Sequence, residues 1–106
     1  MFLYLVSYSG GIPTTAEASV SLSTDTWYHV TVAKTGSTVK MFLDGTALSV
    51  TGSLTFANVA GDLHIGHSST HSGADHYLNG HVDEFRISNG IARWTDSFTP
   101  QAVPYR

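Results

Sequence analysis

Gly80-His81-Val82-Asp83-Glu84-Phe85-Arg86-Ile87-Ser88 is the stretch whose reading decides the fold. It has the length of one strand, and it sets three charged side chains within four positions of a chain that is only 12% charged. A period of two puts Asp83, Phe85 and Ile87 on one face and Val82, Glu84 and Arg86 on the other. A carboxylate beside two large apolar groups on a core face is costly unless donors satisfy it. Asp83 is therefore expected to be a structural group that locks a neighbouring turn or loop onto a sheet, with metal-ligand and catalytic roles as the alternatives.

Working outward, residues 27–34 (Trp-Tyr-His-Val-Thr-Val-Ala-Lys) have the strongest strand propensity in the chain. Thr35-Gly36-Ser37 then turns the chain into a second strand over 38–44, with Val39, Met41 and Leu43 alternating against Lys40, Phe42 and Asp44. Asp44-Gly45 is a hairpin-turn signal, because both residues tolerate the positive φ that such turns require. Residues 2–9 read as a strand apolar on both faces, covered on both sides or lying in a contact between subunits. Gly10-Gly11-Ile12-Pro13 is expected to break it, and Ala18, Val20 and Leu22 alternate with serines as a further strand. Short apolar pieces follow at 47–51, 54–56 and 63–66, then a polar loop over 68–75. No helix is predicted beyond a single turn at 91–94, and Pro100 and Pro104 exclude a central strand from the tail. The fold class read from these elements is all-β.

The 106 residues support one domain, 1–106, with a modest core. A formal net charge of −3, with Lys34, Lys40, Arg86, Arg93 and Arg106 scattered along the sequence, argues against a nucleic-acid groove or an anionic membrane surface as the main partner. With no Cys there is neither a disulfide nor a thiolate metal site. The apolar start lacks a basic flank and is too short for a signal peptide or a spanning helix.

The 80–87 run resembles the near-terminal strand of laminin G-like, concanavalin A-like jelly rolls, in which a Gly-x-hydrophobic-Asp-Glu-hydrophobic-Arg pattern recurs. Trp27-Tyr28-His29-Val30-Thr31-Val32 resembles the Trp-x-His strand of that family, and Val39 through Asp44-Gly45 its next strand and turn. Leu63-His64-Ile65-Gly66 is similar to the strand that follows. The resemblance implies an all-β, antiparallel β-sandwich, and because the chain is short for this family, either a minimal jelly roll or a fragment completed by association. Asn89-Gly90-Ile91-Ala92-Arg93-Trp94-Thr95, followed by Phe98-Thr99-Pro100, resembles phage-associated and bacterial relatives. The implied location is extracellular or virion-associated. In the family's pattern Asp83, Asp44, Gly45 and Trp27 are structural.

Sugar recognition needs an aromatic platform beside planar hydrogen-bonding groups. His71, Asp75, His76, Tyr77 and Asn79 supply these groups in one stretch of sequence, and they are the candidate carbohydrate site. The resemblance adds calcium as a candidate cofactor, with Asp75 and Asp62 as ligands, although the oxygen-rich spacing that makes a cage is missing. His67, His71 and His76 would suit zinc or nickel if the loop curled back on itself. A glycosidase would need two carboxyl groups across a cleft, and Asp83 and Glu84 point to opposite faces of a regular strand. The expected function is a non-catalytic, lectin-like module acting as a homo-oligomer, with a glycan as partner. The alternative is a structural or assembly module of a phage particle or surface protein, with no small-molecule ligand.

Overall fold

The structure, a computed structural model, describes residues 1–9, 12–52, 65–69 and 75–103. Among these residues eight strands follow in order: β1 (Phe2–Ser9), β2 (Ile12–Ser19), β3 (Val30–Thr35), β4 (Thr38–Leu43), β5 (Thr46–Ala47), β6 (Val50–Gly52), β7 (His67–Ser69) and β8 (Asp75–Tyr77). They form two three-stranded sheets, β1-β2-β6 and β3-β4-β5, and the two-stranded β7-β8, with every pairing antiparallel. No helix occurs among the described residues, and the all-β expectation holds.

The β3-β4 hairpin closes with Thr35 opposite Thr38, and Gly36 takes a φ of 60° at its tip. Between β4 and β5, Leu43 pairs with Thr46, so Asp44 and Gly45 form the two-residue turn their dipeptide predicts, at φ 50° and 80°. Ile12 and Pro13 do not break the chain. They open β2, with Pro13 opposite Tyr8 and Ile12 opposite Ser9. The β6 ladder reaches only Ala16, Glu17 and Ala18, so along that side the amide that proline lacks falls outside the pairing.

Alternation sorts the two faces of β4. Val39 and Met41 point toward β2 and are buried with Ala16 and Ala18, and Leu48 and Val50 pack against this cluster. Phe42 faces the other way and is equally buried, since residues 94–98 cross that side of the sheet. Its ring meets Phe98 edge-on at 5.4 Å, and Trp94 stacks on Phe98 at 4.3 Å. Three hydrogen bonds fasten this crossing segment: Lys40 Nζ to the Thr95 carbonyl, the Ala47 amide to Ser97 Oγ, and the Phe98 amide to the Gly45 carbonyl. The β1-β2-β6 sheet covers β4 but leaves Val30 and Val32 of β3 at 49% and 40% exposure. Among the described residues this is a small sandwich whose second layer stops short of its edge strand.

Two expectations are corrected here. Residues 80–88 join no ladder, and Asp83 and Phe85 are both exposed rather than set on a core face. The cause is local: Glu84 has a φ of 52°, which interrupts the pleat and ends the alternation between its neighbours. The strand over 27–34 begins three residues late, at Val30. Trp27 lies outside it at 68% exposure, with its ring beside His81 at 6.4 Å, and is not a core aromatic.

Candidate functional site

Of the residues expected to bind carbohydrate, Tyr77 is described most fully. It ends β8, opposite His67 of β7, and the Leu78 amide continues the ladder by donating to the Gly66 carbonyl at 2.7 Å. The His67 and Tyr77 rings stack with centroids 4.6 Å apart and planes 23° from parallel, the cross-strand arrangement expected of directly opposed residues. Tyr77 is nevertheless 72% exposed. The imidazole backs the phenol and fixes its orientation, while the rest of the ring meets solvent. Asn79, two residues on, is exposed as well.

The other members of the set are less fully placed. For Asp75 and His76 the backbone is described, opposite Ser69 and Ser68. His71 and Asp62 lie outside the described residues, and so does the convergence of His67, His71 and His76 that a zinc or nickel site would require. Among the described residues, no three His, Asp or Glu side chains gather as a metal site would need.

A second feature was not legible in the sequence. Between β3 and residues 84–94 runs a groove of about 1000 Å³. Val30, Val32 and Ala33 line one wall, and Phe85, Ile87 and Ile91 the other. Lys34, Arg86 and Arg93 also face it, against one carboxylate, that of Glu84. The basic residues look scattered along the chain, yet the fold collects three of the five in one place. No local signal in the sequence announces this, because the two walls are about fifty positions apart.

Asp44 lies beside His29, just before the start of β3, where its carboxylate accepts the His29 amide and its own amide donates to the His29 carbonyl. Gly45 is buried beneath Phe98. These two residues hold the hairpin and the crossing segment in place. Neither the curated proteins nor the solved structures include a match to this chain. Residues 2–96, however, match the model of a protein family, and on that match the chain belongs to the concanavalin A-like lectin/glucanases superfamily.

Proposed function

We propose that this chain is a non-catalytic carbohydrate-binding module that works outside the cell as a homo-oligomer. The observation that carries the reading is Tyr77, a largely exposed ring held flat by the His67 imidazole stacked against it. Such a ring offers the apolar face of a sugar a rigid platform at little entropic cost, and Asn79 and the Asp75-His76 stretch bring hydrogen-bonding groups close by in the chain. Membership of a lectin and glucanase superfamily supports the same class of ligand. Of the two halves of that superfamily's name, the lectin-like one fits better. Hydrolysis of a glycoside calls for two opposed carboxyl groups, and among the described residues the large groove has only Glu84.

Self-association enters through the incomplete sandwich. β1 and β6 end one sheet among the described residues, and Val6 on β1 is exposed. Several copies would multiply a weak single-site affinity. The same edges favour the second reading, a structural or assembly module of a particle or surface protein with no small-molecule ligand.

The test is a glycan-array screen, with and without added calcium, followed by titration of any hit against Tyr77→Ala. We expect the variant to bind at least about tenfold more weakly with unchanged unfolding behaviour, as for loss of one stacking platform. Light scattering alongside gives the mass. An oligomer that retains no glycan on any array leaves the assembly reading, whereas full binding by Tyr77→Ala removes this residue from the site.

A further inference from the structure

We propose that the groove along β3 is a docking site for an extended acidic peptide, which pairs with β3 as an added strand. Three independent features of the groove agree on this. β3 ends its sheet, bonded to β4 alone among the described strands, and so presents a line of main-chain donors and acceptors along its outer side. The walls supply apolar contact, with Val30 and Val32 half-exposed on β3 and Phe85, Ile87 and Ile91 exposed across from them. A strand bound there alternates its side chains between two directions, as strand-addition sites use them.

The third feature is charge. Among the described residues, Lys34, Arg86 and Arg93 against Glu84 leave an excess of two positive charges in the groove, in a chain whose formal net charge is −3. Arg93 is held in place by its Nε, which donates to Ser88 Oγ at 2.6 Å. A fourth basic residue, Lys40, lines a smaller adjoining cavity of about 270 Å³ that shares Ala33, Thr35 and Trp94 with the groove. The site is thus the most basic region of an acidic protein, built around a strand edge. A partner to the six residues of β3 is about 20 Å long, and acidic side chains along it would face opposite charge.

The same features argue against a second copy as the occupant. Antiparallel pairing of β3 with itself across a two-fold axis would bring Lys34, Arg86 and Arg93 of both copies to one seam, where like charges repel. β1, an edge of the other three-stranded sheet, is Phe-Leu-Tyr-Leu-Val-Ser-Tyr-Ser and has no charged side chain to offset the groove. An anionic glycan would meet the charge but would leave the strand edge without its matching amides and carbonyls.

The test is fluorescence anisotropy with a labelled, capped peptide of about eight residues alternating Val and Glu, the length of a strand matched to β3. Three competitors accompany it: the Val-Lys peptide, the Val-Glu peptide N-methylated at alternate residues, and a sulfated oligosaccharide. Saturable binding of the Val-Glu peptide is expected, weakened by added salt and roughly tenfold weaker in Arg86→Glu and in Arg93→Gln. The lysine and N-methylated peptides should not compete. Absence of peptide binding overturns the proposal, as does equal competition by the N-methylated peptide, since strand pairing would then be dispensable. Binding of the sulfated oligosaccharide alone reassigns the groove to a glycan. A dimer in light scattering that dissociates in Arg93→Gln reassigns it to a second copy.

Discussion

Asp44 and His29 are joined twice, the His29 amide donating to Asp44 Oδ1 at 2.8 Å and the Asp44 amide to the His29 carbonyl oxygen at 2.8 Å. The second bond adds a rung to the β3-β4 ladder just beyond Val30 and Leu43, and the first caps it with a charged acceptor. Asp44 makes both bonds from a φ of 50°, a region that Asp and Asn enter far more readily than other residues with a side chain. Asp44→Ala removes the acceptor and strains the turn, so it should lower stability by about 1–3 kcal/mol. Asp44→Asn keeps an acceptor oxygen and the turn conformation, and should lose less than about 1 kcal/mol. Urea unfolding of the two variants decides this: equal losses would show that the carboxylate contributes little beyond its backbone.

Gly45 and Gly36 both have positive φ, 80° and 60°, but their surroundings differ. A side chain at Gly36 would point into open space, whereas one at Gly45 would run into the carbonyl of Phe98, which is main chain and part of the crossing segment. Gly36→Ala should therefore cost only the conformational penalty, about 1 kcal/mol. Gly45→Ala adds displacement of residues 94–98 from the sheet and should lose about 3 kcal/mol or more. Thermal unfolding of both would measure the difference. Similar losses would mean that the Phe98 backbone yields easily.

Phe98 is the point where the crossing segment grips the sheet, touching the Phe42, Trp94 and His29 rings at 5.4, 4.3 and 5.7 Å. It is half-buried, so Phe98→Ala should cost about 2 kcal/mol, less than the 3–5 typical of a fully enclosed phenylalanine. Trp94 would lose its stacking partner, and its fluorescence should shift to the red at denaturant concentrations where β3-β4 is still paired. A single coincident transition for both probes would show instead that segment and sheet unfold as one unit.

What could be read from the sequence follows the range of the interactions involved. Both turns around β4 were legible because Gly36 and Asp44-Gly45 encode them locally, and Phe2–Ser9 because its composition suits a strand wherever it lies. The exposure of Tyr77 was not legible, since alternation gives opposite faces to neighbours but does not say which face a distant layer will cover. Trp27 shows the same limit: a propensity for strands and a large apolar ring do not supply the second sheet that would bury it. The groove depends on two segments meeting from far apart, so its three basic residues appeared unrelated.

Asp83 provides the sharpest test of that limit. Read as part of a regular strand, its carboxylate lies on a core face, and replacing it with alanine should cost about 1–3 kcal/mol through unsatisfied buried donors. In the structure it is exposed, and its one described bond accepts the amide of the next residue, Glu84, at 2.8 Å. Asp83→Ala should accordingly change stability by no more than about 0.5 kcal/mol, as for a surface substitution. Hydrogen exchange gives an independent reading, since amides of residues 85–88 outside any ladder should exchange far faster than those of β4. A large stability loss together with slow exchange over 85–88 would mean that this segment closes onto the edge of β3 in solution. The groove would then be filled by the chain's own strand, and the peptide site would be lost with it.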